Sequence, residues 1–457
     1  MGNNKEAIYD AKKLGYPKMV VLGLQHMFAM FGATVLVPAL TGLSVSATLL
    51  FAGLGTLLFH FLTKGKVPAF LGSSFAFLAG YWAIAPNGER ELLPYACIGV
   101  FAAGALYLVL AALIKAFGQK RVLRFFPPIV TGPIIIAIGL SLSGTAIQSC
   151  TSNWVVAVVA ILVVVVCNIY GKGMVKIVPI ILGVIVSYGA ALILDCAGVA
   201  ELVDFTAVKE AAWIGLPFKM KDTVFEVFKH PDGSLIATSI ITIMPIALAT
   251  MVEHIGDISA ISSTTERNFI EDPGLHRTLL GDGLATMLAS LFGAPANTTY
   301  GENTGVLSLT KVYDPLVIRL AAVFAIILSF SPKFAALISS MPTATIGGVS
   351  IVLYGMISAV GVRNVVENQV DFSRSRNIII AALILGLSTG IKYFDPTGNM
   401  NGAIAFSIGR VDISLSGLAV GALVGIILNA ILPLEEKEYK GVNTESKSEN
   451  ELVEEKK

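Results

Sequence analysis

The sequence predicts an all-α polytopic membrane protein of about 14 transmembrane segments in two inverted repeats of seven. Three observations carry that prediction: the composition, the succession of apolar runs of spanning length, and the placement of positive charge between them. Hydrophobic residues make up 55% of the 457 residues and charged residues 14%, where a soluble protein has about 25% charged. Mean hydropathy is +0.77. Such a chain dissolves in lipid, which excludes an assembly of soluble domains. A formal net charge of +1 makes no case for nucleic acid or an acidic partner.

A span needs about 20 residues. Candidate spans follow one another at 17–40, 44–63, 68–85, 92–114, 125–147, 153–171 and 175–195. After a long polar loop come 234–255, 276–293, 299–310, 314–331, 335–360, 377–394 and 411–433. With the N-terminus inside, the inner segments before the long loop hold Lys5, Lys12, Lys13, Lys18, Lys64, Lys66, Lys115, Lys120, Arg121, Arg124, Lys172 and Lys176, against Arg90 alone in the short outer loops. That asymmetry is the positive-inside pattern. An even number of spans returns the C-terminus inside, and the charged stretch 434–457 reads as a disordered cytoplasmic tail. The loop at 196–233, with Phe205, Trp213, Phe218 and Phe228, is expected outside, against the membrane surface. The polar start and the length of the first apolar run argue against a cleavable signal peptide. Cys97, Cys150, Cys167 and Cys196 form no CxxC pair and read as free thiols.

Seven spans stand on each side of the long loop, and an odd number per half inverts the second half relative to the first. Transporters built this way carry their site near the midplane, on broken helices in corresponding positions. The third span of each half is broken: Val67-Pro68-Ala69-Phe70-Leu71-Gly72-Ser73-Ser74-Phe75-Ala76-Phe77 and Gly293-Ala294-Pro295-Ala296-Asn297-Thr298-Thr299-Tyr300-Gly301-Glu302-Asn303. Each opens on an extended Pro segment, passes small and hydroxylated residues and turns apolar again. Ser73/Ser74 and Thr298/Thr299 are expected to cap the half-helices that follow.

Acidic residues within spans carry the chemistry. Ser234 to Val252 is free of charge until Glu253, and Glu302 is the one charge between Gly283 and Thr310. A charge at the bilayer centre costs about 2.5–3.5 kcal/mol even on the lenient insertion scale, so such residues face a cavity or a pathway. Glu302 opens a half-helix, where the positive end of the dipole favours a carboxylate. Glu253 is followed by His254 and, at i+4 on the same face, by Asp257. Two carboxylates on one face and a third nearby cannot all ionise in a low-dielectric site, which opens a route to proton coupling. Glu253 could instead be interfacial, at a helix end. His26 lies inside the first span, where packing or a helix-to-helix hydrogen bond competes with a role at the site, and His60, His230 and His276 read as solvated or structural. No HExxH, GxGxxG, P-loop or GxSxG stands in a supporting context, so no enzyme is expected, and neither a metal nor another cofactor is implied.

These residues resemble the nucleobase/ascorbate transporter family over nearly the whole chain, from Leu24 to Pro433. The match is densest at Gln25-His26-Met27-Phe28-Ala29-Met30-Phe31-Gly32-Ala33-Thr34, at Pro68 to Phe77, at Glu253-His254-Ile255-Gly256, at Asp272-Pro273-Gly274-Leu275-His276-Arg277, and at Asn297 to Gly305 with Thr310. The resemblance implies short antiparallel strands in the two broken spans. It implies a core domain at 1–118 and 234–331, a gate domain at 119–197 and 332–433, and an extracellular loop at 198–233. It further implies a nucleobase substrate, uracil before other bases. Glu253 and Glu302 would bind it, backbone amides near Phe75 and Gly301 would complete the site, Phe75 and Tyr300 would cover the ring, and Tyr354 would face it from the gate. Glu253, His254 and Asp257 would carry the coupling proton. The chemistry agrees, because uracil offers two N–H donors and two carbonyl acceptors to carboxylates and exposed amides. Relatives also imply a homodimer through the gate domain, in a cell inner membrane with both termini cytoplasmic. One departure stands out. Family members that carry uracil commonly read Glu-His-x-Gly-His, whereas position 257 here is Asp, as in many purine carriers. A xanthine or urate permease is therefore the alternative, and an anion exchanger or channel on the same plan is a more distant one, opposed by Glu302.

Overall fold

In this computed structural model the structure describes residues 7–394, 402–409 and 411–433; the tail expected at 434–457 lies outside them. Leaving aside single turns, the first half runs α1 (Tyr16–Thr41), α2 (Val45–Leu62), β1 (Leu71–Ser73), α3 (Leu78–Ile84), α4 (Leu93–Phe117), α5 (Pro128–Cys150), α6 (Trp154–Tyr170) and α7 (Pro179–Cys196). The second runs α8 (Gly233–Ile243), α9 (Ala247–Thr265), α10 (Leu275–Leu291), β2 (Asn297–Thr299), α11 (Gly301–Thr310), α12 (Pro315–Ser329), α13 (Pro332–Ser339), α14 (Thr343–Glu367), α15 (Ser375–Tyr393), β3 (Ala403–Ile408), β4 (Val411–Ser416) and α16 (Gly417–Ile431). Among the described residues eight helical runs are long and apolar enough to cross a membrane, and α8 with α9 makes one of them, Gly233–Thr265. The bent pair α12–α13, the shorter apolar helices at Phe75–Ile84, Trp154–Tyr170 and Gly417–Ile431, and the segments α10 and α11 complete the polytopic plan.

Local chemistry sets many of these boundaries. Gly42 takes the left-handed conformation (φ 79°) and returns its N–H to the Pro38 carbonyl, which ends α1. Ser44, Asn153, Asp232, Asp314 and Ser416 each accept a backbone N–H at the start of the helix that follows. Two expected spans come out differently. The run at 335–360 is divided at Ser340–Pro342: Ser331 caps and Pro332 starts a separate short helix, α13, turned 89° from α12, and α14 begins only at Thr343. The run at 411–433 opens as strand β4, antiparallel to β3, because Gly409 (φ 64°) permits the turn and Ser416 delays the helix to Gly417.

Packing repeats in opposite order in the two halves. Helix α2, second in its half, packs along α12, fourth in the other; α10, second in its half, packs along α4. Glycines permit the approach: a Cβ on Gly283 would stand 2.6 Å from the Tyr107 Cβ, and one on Gly104 would stand 2.9 Å from the Gly283 carbonyl oxygen. A second group forms around α5, which runs along α14; α14 also touches α6 and α7, and α15 packs on α5 and α16. The two broken spans meet in the interior, where β1 and β2 pair antiparallel with Leu71 opposite Thr299, Gly72 opposite Thr298 and Ser73 opposite Asn297.

Candidate functional site

Both broken spans follow one plan. An extended segment enters, three residues form a strand, and a helix starts beyond it. The bonds Tyr300 N–H to Phe70 carbonyl (3.1 Å) and Ser74 N–H to Ala296 carbonyl (2.8 Å) close the two ends of the pair. The expected caps do not form. Ser74 stands at the N-cap of the turn Phe75–Phe77 and Tyr300 at that of α11, and neither side chain caps its helix. Ser74 Oγ and Thr298 Oγ1 are buried without a hydrogen-bond partner, and the other two hydroxyls go elsewhere: Ser73 donates to the Thr34 carbonyl at 2.7 Å and Thr299 to Asp257 Oδ2 at 2.8 Å. Competing partners on α1 and α9 win because the strand turns these side chains outward toward those helices. Neither N-cap side chain takes up a first-turn N–H of its half-helix, and N–H groups at such a terminus suit an anion or a carbonyl.

Phe75 is buried and meets Tyr354 of α14 edge to face, with ring centroids 5.5 Å apart and planes at 77°. Tyr300 is 4% exposed, and its hydroxyl donates to the Ser73 carbonyl at 2.7 Å. A Cβ on Gly72 would lie 2.6 Å from that ring, so the Tyr300 ring rests on the strand backbone. Gly301 is exposed and Glu302 half-buried in the first turn of α11. Glu253 is half-buried and lies mid-helix, twelve residues before the end of α9 at Thr265, rather than at a helix end. It lies within electrostatic reach of Glu302, and Asp257 within reach of both. The structure thus brings Glu253, Asp257, Tyr300, Gly301 and Glu302 together around the start of α11, with Phe75 and Tyr354 paired at the start of the other half-helix.

His254 departs from that group. It is fully buried, and its Nδ1 lies 3.1 Å from Asp282 Oδ2 on α10, itself 0% exposed. The rings of Phe59 and Tyr107 stand edge-on to it, each 6.5 Å away. Asp282 is a site candidate that sequence reasoning passed over; a lone carboxylate inside the span at 276–293 was the available signal. Asn303 was also missed: its side-chain N–H groups reach His26 Nδ1 (3.2 Å) and the His26 carbonyl (3.1 Å), which makes His26 the tie between α1 and α11. His60, also buried, contacts the Ala69 carbonyl at 2.9 Å and serves structure. All four cysteines are free. A crevice of about 750 Å³ is lined among others by Pro17, Lys18, Gln25, Lys176 and Thr310, and by none of the site residues described above. Among the described residues no three His, Cys, Asp or Glu side chains come together as metal ligands.

Comparison with known proteins agrees with this architecture. The model of the permease family matches residues 17–396. The chain belongs to that family. Its relatives match it almost end to end. A uracil permease of Bacillus caldolyticus is 40% identical over 439 residues, which covers 93% of this chain and 94% of the relative. A uracil permease of Bacillus subtilis is 38% identical over 432 residues, covering 92% and 93%. The transmembrane domain of a cyanobacterial bicarbonate transporter, BicA, superposes with a TM-score of 0.56 at 14% identity, over 93% of this chain and 99% of that one. At that identity the likeness is one of fold, the inverted-repeat arrangement, and it spans 93% of this chain. The chain is a multi-pass membrane protein.

Proposed function

We propose that the chain imports uracil by proton symport across a cell inner membrane, both termini lying in the cytoplasm. One observation carries the reading. A carboxylate, Glu302, stands in the first turn of a half-helix that no side chain caps, within reach of a second carboxylate, Glu253, in a chain whose relatives are named uracil permeases. The carboxylates would accept from the two ring N–H groups, and the free amides at Phe75 and Gly301 would donate to the carbonyls. Tyr354 would close the site through its contact with Phe75. Asp257, bonded to Thr299 beside that site, would carry the proton.

In this reading the helices around α2, α4, α10 and α12 form a core that carries the base, and those around α5 and α14 form a gate. The core would move against the gate and expose the site to each side in turn. Uptake of labelled uracil into proteoliposomes, with and without an inward proton gradient, tests it. Accumulation driven by the gradient and blocked by unlabelled uracil supports the reading. Accumulation blocked by xanthine in place of uracil would give the substrate to a purine, as Asp257 at its position favours. Equal uptake with and without the gradient would remove the proton from the mechanism.

A further inference from the structure

Each strand of the central pair is held from behind by one threonine. Thr56 of α2, 0% exposed, accepts the Leu71 N–H at 2.9 Å and donates to the Leu71 carbonyl at 3.4 Å. Thr286 of α10, 1% exposed, accepts the Asn297 N–H at 3.2 Å and donates to the Asn297 carbonyl at 2.9 Å. Leu71 and Asn297 each open their strand. A two-stranded sheet leaves the backbone groups of its outer edges without ladder partners, and buried groups of that kind must find others. A hydroxyl is the smallest side-chain group that both accepts and donates, so one threonine meets both needs.

A second contact lies one turn from each threonine on the same helix face. In α2 it is His60, against the Ala69 carbonyl. In α10 it is Asp282, against His254 beside Glu253. Helix α10 therefore reaches both carboxylate-bearing elements of the site: α9 through Asp282, and the strand that leads through Tyr300 and Gly301 into Glu302 through Thr286.

We propose that Thr286 is a positioning residue for substrate selection: its hydroxyl fixes the depth of β2 and so the place of the Glu302 carboxylate, with Thr56 the counterpart behind β1. The inference rests on the transport reading above, in that Glu302 is the group that selects for a ring N–H. Removing the hydroxyl leaves the Asn297 N–H and carbonyl unpaired, and the strand shifts to satisfy them, carrying Glu302 with it. A valine keeps the shape and lacks both functions; a serine keeps both.

The test uses the full chain, purified in detergent, as wild type, Thr286→Val and Thr286→Ser. Binding of uracil is set against 1-methyl- and 3-methyluracil, each of which lacks one N–H. The expected result is about tenfold weaker uracil binding in Thr286→Val, with a preference over the methylated bases cut at least about threefold, and both restored to within about twofold in Thr286→Ser. A role confined to stability lowers the amount of active protein and leaves that preference unchanged, which would overturn the proposal. If Thr286→Val does not accumulate, Thr286→Ala takes its place under the same criterion. Hydrogen exchange of the ligand-free protein gives a readout independent of substrate: amides 297–302 exchange faster in the valine variant than in the serine variant, and equal rates overturn the proposal. Failure of wild type to bind uracil rejects the substrate of the transport reading alone, and xanthine with its N-methyl forms then replaces uracil in the comparison.

Discussion

Tyr300 donates its phenolic hydrogen to the backbone carbonyl of Ser73 at 2.7 Å, so the residue that opens the second half-helix is tied to the end of the first strand. The same hydroxyl lies 3.4 Å from Thr34 Oγ1 and 3.3 Å from Ser73 Oγ. The crossing of the two broken spans is thus anchored to α1 as well as to itself. Tyr300→Phe is expected to lower stability by about 1–2 kcal/mol, because the Ser73 carbonyl loses a buried donor. Thermal unfolding in detergent measures it, and an unchanged midpoint would mean that the backbone pairing alone holds the crossing.

Gly72 lies under that ring. A Cβ there would stand 2.6 Å from both Thr34 Oγ1 and the Tyr300 ring. Gly72→Ala is expected to cost about 1–3 kcal/mol and to weaken ligand binding, since the strand must move away from α1 to make room. Unfolding and binding measured on one preparation test both halves of this statement.

Glu302 offers the acceptor at the start of α11. Glu302→Gln replaces one acceptor oxygen by a donor and is expected to weaken uracil binding by tenfold or more with the fold retained. Equilibrium binding beside an unchanged unfolding midpoint checks it. Normal affinity would take Glu302 out of the site.

Asp257 receives the Thr299 hydroxyl at 2.8 Å. Asp257→Asn keeps that acceptor and removes the titrating group. Binding is expected to change little, and the proton gradient is expected to stop driving accumulation. Uptake into proteoliposomes at matched and unmatched pH separates the two effects, and retained gradient-driven accumulation would make Asp257 a structural partner of Thr299.

Asp282 and His254 are buried together. Asp282→Ala leaves the imidazole without its neighbour in a site closed to water and is expected to cost about 1–3 kcal/mol. The yield of monodisperse protein and its unfolding midpoint report the loss. Full stability in this variant would show that α9 and α10 are held by apolar contacts alone.

Composition and the spacing of apolar runs were enough to establish the membrane class, the inverted halves and the position of both breaks. The reason is thermodynamic: lipid cannot satisfy a backbone or a charge, so length, apolarity and the rare Glu or Pro carry strong signals wherever they fall. Glu253, Asp257 and Glu302 were legible as charges in apolar surroundings, and the expected strands were found as β1 and β2. Asp282 stood in the same kind of surroundings and became visible only when α10 brought it against His254. Tertiary structure alone decided where the hydroxyls went. Ser73 and Thr299 have the chemistry of caps, yet α1 and α9 supply nearer partners, and no local rule sees a neighbour that is distant in sequence. Tertiary structure likewise turned the run at 411–433 into a strand before a helix, since pairing with 403–408 forms only when the chain folds back. The same holds for Thr56 and Thr286: each lies in an ordinary apolar helix, and its role exists only because a strand 15 and 11 residues later, respectively, returns to it.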